Sequence, residues 1–232
     1  MVFLRDLANT FPKILGLFLF IWMNSVNSME SYDKYWSVAV ITGPLAEHSS
    51  FKYYLEPQLR LIDNNYVFNQ ILLLGGLGYQ INTNMTVYLG PGWIVSKTPQ
   101  GNSTHENRLW EQLNWILVNT SNLNINSRTR LEERKDTNAS QMAIRLRERV
   151  WMRVPFRNSD KYSFSIFNEV FLNLNHPQWV SLYLFEQNRA FIGVSTQASK
   201  STVIDVGYLN QYIHAIKNRL DNVLLLSFTV NW

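Results

Sequence analysis

Apolar and polar residues alternate with a period of two along most of this chain. FKYYLEPQLRL sets Phe51, Tyr53, Leu55, Pro57, Leu59 and Leu61 against Lys52, Tyr54, Glu56, Gln58 and Arg60. RLWEQLNWILV sets Leu109, Leu113, Trp115 and Leu117 against Arg108, Gln112 and Asn114. NLNINSRTRLE and MAIRLRERVWM repeat the pattern, with Arg128, Arg130 and Glu132 on one face of the first and Arg145, Arg147 and Arg149 on one face of the second. A strand sends successive side chains to opposite faces, so each segment is a ribbon with one apolar side. The stretches between are rich in Asn, Asp and Ser: DNN, NTN, NTSN, KDTN and RNSD. These residues accept turn geometry. Strand starts fall near Tyr35, Phe51, Tyr66, Asn84, Glu106, Leu123, Gln141, Tyr162, Asn188, Thr202 and Asn222.

Strands of this length with polar turns between them predict a transmembrane β-barrel, apolar outside and polar inside. A soluble antiparallel sandwich with one wet face explains the alternation equally well. The last strand favours the barrel. VLLLSFTVNW alternates Leu224, Leu226, Phe228, Val230 and Trp232 against Leu225, Ser227, Thr229 and Asn231. It resembles the C-terminal assembly signal of bacterial outer-membrane barrels, which mostly end in Phe; here Phe228 and Trp232 are the signal candidates. Single-chain bacterial barrels prefer an even strand number. QWVSLYLF (178–185) therefore supplies a twelfth strand, and ten is the alternative if the first lies outside the barrel.

The arginines follow from the same parity. The two rows flank KDTNAS and form a hairpin, with Arg130 paired to Arg145 and Arg128 to Arg147, all on one face. A lipid-facing arginine costs roughly 2–4 kcal/mol near the membrane midplane. Five turned outward would exceed any plausible margin of stability. The expected inward-facing charges are Glu56, Arg60, Arg108, Arg128, Arg130, Glu132, Arg145, Arg147, Arg149, Glu169 and Arg189.

Composition adds a compartment. The 232 residues include no cysteine, so stability rests on burial and backbone hydrogen bonds. Arg5 and Lys13, the apolar run ILGLFLFIWM and Val26-Asn27-Ser28 read as a secretory signal peptide over residues 1–28. The barrel then spans 29–232, exported through the Sec pathway to the outer membrane of a Gram-negative cell. Lipid and the barrel-assembly machinery are its expected partners. A formal net charge of +4 gives no case for nucleic-acid binding.

Several segments resemble an uncharacterised bacterial family, domain of unknown function 2490, regarded as an outer-membrane barrel. They are YYLEPQLRL, FNQILLLGGLGYQI, ENRLWEQL, SRTRLEER, IRLRERV, FNEVFLNLN, EQNRAFIGV and VGYLNQY, in order between Trp36 and Trp232. The resemblance implies fold and location, and no activity.

His48, His105, His176 and His214 share no metal-ligand spacing, and neither G-x-S-x-G nor H-E-x-x-H occurs. No catalytic residue, metal or cofactor is expected. GGLG (75–78) lies within a strand and is expected to ease bending. The expected function is a small porin-like channel with an arginine-rich lumen and an unidentified solute. The alternatives are a filled structural barrel without conductance and, behind both, a barrel hydrolase.

Overall fold

The computed structural model describes residues 30–62, 67–97, 101–157, 159 and 161–232. The expected leader, residues 1–28, lies outside them. The described residues form β1 (Glu30–Pro44), β2 (Phe51–Ile62), β3 (Val67–Gln80), β4 (Met85–Lys97), β5 (Ser103–Asn119), β6 (Asn124–Asp136), β7 (Ala143–Pro155), β8 (Tyr162–Asn173), β9 (Phe185–Gln197), β10 (Thr202–Ile213) and β11 (Arg219–Asn231). Each strand pairs with the next, and β11 pairs with β1, closing a barrel.

Eleven strands correct the expected twelve, and ten as well. Residues 178–184 form a loop, because their neighbours use their polar groups otherwise. Asn173 Nδ2 donates to the carbonyls of Ser181 and Tyr183, both at 3.3 Å, and Trp179 Nε1 donates to Gln141 O at 3.0 Å. An odd count also corrects the expectation of a wholly antiparallel sheet. With every sequential pair antiparallel, β1 and β11 must run the same way. Side chains along the seam agree. Asn222 reaches Asp33 at 3.1 Å near the start of both strands, and Thr42 reaches Asn231 at 2.6 Å near their ends.

The β6–β7 hairpin differs from expectation by two residues. Arg130 faces Arg147, Arg128 faces Arg149, and Glu132 faces Arg145. A shift of two keeps every side chain on its face. It also sets a carboxylate opposite a guanidinium, a favourable cross-strand pair.

The barrel is inside-out relative to a water-soluble protein. Leu55, Leu59, Ile71, Leu73, Leu77, Leu89, Trp93 and Leu109 are exposed on its outer surface, while Arg130 and Glu132 have 0% exposure inside. Two apolar clusters share the interior with these charges. One holds Trp36, Trp151, Phe167, Phe191, Leu209, Val223 and Leu225; the other Tyr54, Leu72, Leu74, Tyr88, Ile94 and Trp110. The glycines of β3 and β4 let the second cluster close up. A Cβ on Gly90 would lie 1.9 Å from Gly75 O, and one on Gly76 would meet the Trp110 ring at 2.9 Å.

Candidate functional site

Period two carries the hairpin charges to the interior. β8 adds Glu169 opposite Arg149, and β9 adds Arg189 opposite Glu169. β10 and β11 continue the row with Gln211 and Asp221. One cross-strand row thus runs Arg128, Arg149, Glu169, Arg189, Gln211, Asp221, and a neighbouring row holds Arg130 and Arg147.

Three buried carboxylates tie these rows together. Glu132 accepts from Arg145 Nε at 2.9 Å and Arg147 Nη1 at 2.6 Å, with Arg108 at 3.5 Å. Glu169 accepts from Arg147 Nη2 at 2.8 Å and Arg128 Nη2 at 2.5 Å, with Arg189 Nη1 at 3.6 Å. Glu56, on β2 across the barrel, accepts from Arg130 Nη2 at 2.6 Å and from the Tyr54 hydroxyl. Arg130 Nε donates to Gln112 Oε1 at 2.7 Å. These three carboxylates are between 0% and 3% exposed. Together with the guanidiniums they form a septum across the barrel.

Further pairs lie on either side of it. Glu106 holds Arg108 and Arg134, Glu186 holds Arg145 at 2.8 Å, and Asp221 holds Lys34 at 2.7 Å and Arg219 at 3.1 Å. Toward the other end Asp205 accepts from Arg153 Nη2 at 2.7 Å and from the Ser165 hydroxyl at 2.7 Å. The ion pairs join ten cations to seven carboxylates. Among the described residues, two of the expected charges, Arg60 and Arg149, have no carboxylate within 4.0 Å. Arg60 donates to Gln70 and Gln58, both at 2.7 Å, and lies 4.2 Å from the Trp36 ring centroid. Arg149 lies over the rings of Trp151 at 4.6 Å and Phe167 at 5.7 Å.

The septum divides two cavities. One, of about 410 Å³, is lined by Lys34, Arg60, Arg108, Arg134, Arg145, Arg147, Arg189 and Arg219, with Glu106 as its one carboxylate among the described residues. The other, of about 720 Å³, opens toward the end that carries Trp232. Trp36, Arg60, Arg147 and Arg189 line both.

The structure brings the eleven expected charges into this one interior. It adds Lys34, Trp36, Arg153, Glu186, Asp205, Arg219 and Asp221, which sequence reasoning missed. Parity was the available signal for most of them, as Asp205 shares the face of Leu209 and Asp221 that of Val223. Glu186 has the opposite parity to Arg189 and is the extra residue where the β8–β9 register shifts. Phe228 stands apart on the outward side of β11, and Trp232, just beyond that strand, stands at the mouth of the larger cavity. Trp232 N donates to Thr42 O at 3.0 Å across the seam, and the ring is 74% exposed. Among the described residues no three His, Asp or Glu side chains come close enough to hold a metal. His176 and His214 sit in loops at one end of the barrel, and His105 lies beside Trp93 at the start of β5.

A closed, inside-out β-barrel with a charged interior is the class of protein these features define. The chain belongs to the family described as "Protein of unknown function (DUF2490)", which matches residues 33–222. An uncharacterized protein of Methylorubrum extorquens is 27% identical over 183 residues, 78% of this chain and 80% of the relative. A solved structure of the NanC porin in a rhombohedral crystal form aligns with a TM-score of 0.45 and 10% identity, over 75% of this chain and 78% of the porin.

Proposed function

We propose that this protein is a porin-like barrel of the bacterial outer membrane that passes small anionic solutes. Insertion is supported by the outer surface, where large apolar side chains on β2, β3 and β4 face outward. Short turns at one end also fit a periplasmic side. The end carrying Trp232 has connections of four to six residues, whereas the opposite end carries the eleven-residue loop 174–184. The aromatic end of β11 fits recognition by the assembly machinery, and the leader fits export.

Anion preference rests on one observation, the excess of guanidinium over carboxylate in the interior. Fixed charge of one sign inside a low-dielectric wall enriches the opposite ion. A second reading is a filled scaffold. It is favoured by the burial of Arg130 and Glu132, both with 0% exposure, so that water does not reach the middle of the septum in this conformation. Barrels of about eight strands are filled by side chains, and those of 16 to 18 leave a channel; eleven strands lie between.

Two experiments test the proposal. The chain has no cysteine, so single cysteines at Leu73 and at Arg60 report their own environments. A lipid-restricted reagent should label the first, and a water-soluble reagent the second. Purified protein in a planar bilayer should conduct with chloride favoured over potassium. A silent bilayer with a folded, inserted barrel supports the scaffold instead.

A further inference from the structure

We infer that Trp36, Arg60 and Arg189 form a seat for the carboxylate of a small organic acid, at the point where the two cavities meet. The seat deepens the proposed passage of anions and rests on it for its purpose.

Three observations converge here. First, Arg60 and Arg189 both lie over the Trp36 ring, at 4.2 and 4.8 Å from its centroid. Second, donors are left over. Trp36 is 5% exposed and its Nε1–H has no partner, and neither has Arg60 Nε–H. A buried donor without an acceptor is costly, so a conformation that admits an acceptor is favoured. The planar guanidinium edge suits a carboxylate, which it can grip with two parallel hydrogen bonds. Third, the adjoining 410 Å³ cavity presents eight cations and one carboxylate among the described residues, beside the rings of Tyr32, Trp36 and Phe171. That volume is within the range of small-molecule sites. Aromatic walls add contact for an apolar or ring-shaped body. Inorganic anions meet the charge but leave the rings unused.

The amide side chains fix the arrangement. Gln70 and Gln58 each take one Arg60 Nη, so the unpartnered Nε is the donor left for a ligand. Arg189 reaches Glu169 at 3.6 Å, and its Nε and Nη2 lie 3.2 Å from the Gln211 amide oxygen in the amide orientation that satisfies both groups. It therefore adds positive charge beside the Trp36 ring, and Arg60 supplies the free donor.

The test uses full-length protein in detergent, with sodium benzoate as probe and calorimetric titration as readout. Benzoate should bind saturably, acetate more weakly, and benzyl alcohol, which keeps the ring and lacks the charge, not measurably. Arg60→Gln should weaken benzoate by about tenfold, the scale of a lost charge-assisted hydrogen bond. Trp36→Phe keeps a ring and removes the N–H; it should weaken benzoate severalfold. If Arg60→Gln does not fold, Arg60→Lys retains the charge without the planar edge and should still weaken benzoate. Lys52→Gln, in the other cavity, should bind as the native chain does. No saturable binding overturns the seat, as do equal affinities for benzoate and benzyl alcohol or an unchanged affinity in the Arg60 variants. The outcomes separate from those of the passage reading. Benzoate binding with a silent bilayer supports the seat and sinks the passage, whereas conductance without benzoate binding sinks the seat and leaves the passage.

Discussion

The two faces of β5 to β8 carry carboxylates in opposite circumstances. Inside, Glu132 and Glu169 each meet three guanidiniums within 4.0 Å. Outside, Glu148 on β7 accepts from the Ser127 and Thr129 hydroxyls of β6, each at 2.5 Å, and from no cation among the described residues. Glu111 on β5 is exposed and makes neither a hydrogen bond nor an ion pair among the described residues. Nearby, Asn168 and Asn188 hydrogen-bond each other on the outward side of β8 and β9 at 2.9 Å. The outward faces of β2, β3 and β4 are different again. Leu55, Pro57, Leu59, Ile71, Leu73, Leu77, Leu89, Pro91 and Trp93 carry no polar side chain there. Polarity therefore does not by itself mark the interior of this barrel. The counter-charge does: inward carboxylates are neutralised by guanidinium, and outward ones rely on neutral donors or none.

The largest effect should come from removing an inward carboxylate. Glu169→Ala leaves Arg128, Arg147 and Arg189 without their shared acceptor. Breaking a buried pair from one side costs roughly 3–5 kcal/mol, and here three cations share the loss. Thermal unfolding followed by heat-modified migration in a gel should show a large fall in midpoint. Glu169→Gln keeps the shape and some hydrogen bonds and should fall less. Equal, small losses in both would mean that water screens the septum, and the contrast between the two faces would collapse.

Next comes a charge placed on the apolar sector of β2 to β4. Leu73 lies near the middle of β3 and is 47% exposed. Leu73→Arg should lose roughly 2–4 kcal/mol of folding into lipid vesicles. In detergent the loss should shrink, since a micelle lets a long side chain reach water. A variant that folds into vesicles as well as the native chain would remove the case for lipid around β2 to β4.

The strands and the inward parity of the arginines are legible in the sequence because both follow from local alternation. Each of the eleven strand starts read from the pattern has its counterpart. The twelfth strand came from a rule about even strand numbers, and that rule lost to the closure of β1 onto β11. The pairing partners are not legible. Lys34 and Asp221 form an ion pair across 187 residues, and Glu56 meets Arg130 across 74. Such contacts depend on which strands close the barrel and with what stagger, and no local pattern encodes that. Trp36 was invisible as a site residue for the same reason, since Arg60 and Arg189 reach it from β2 and β9.

A smaller effect is expected at Glu148. Glu148→Leu removes the acceptor of two hydroxyls, but Ser127 and Thr129 can rotate toward other acceptors. The net change should be about 1.5 kcal/mol, the low end for hydrogen bonds to a carboxylate. Vesicle folding of Glu148→Leu, Ser127→Ala and the double variant checks it. The double variant should be nearly as stable as Glu148→Leu alone, because the second change removes a donor that has already lost its partner.

The smallest effect should be at Glu111. It faces Leu131 across the β5–β6 ladder and sits between Leu109 and Leu113 on the outward face. A carboxylate in hydrocarbon is a cost, though a smaller one than arginine at the same depth. Replacing it with leucine extends an apolar surface and removes no contact that the described residues make. Glu111→Leu should therefore fold into vesicles at least as stably as the native chain, and gain most in bilayers with thick hydrocarbon cores. The comparison with Leu73→Arg is the informative part, because both positions are outward and near mid-strand. If Glu111→Leu loses stability, or inserts poorly where the native chain inserts well, then the carboxylate answers a polar neighbour in the membrane. The outward face of β5 would then meet something other than lipid, and only the β2 to β4 sector would retain its assignment.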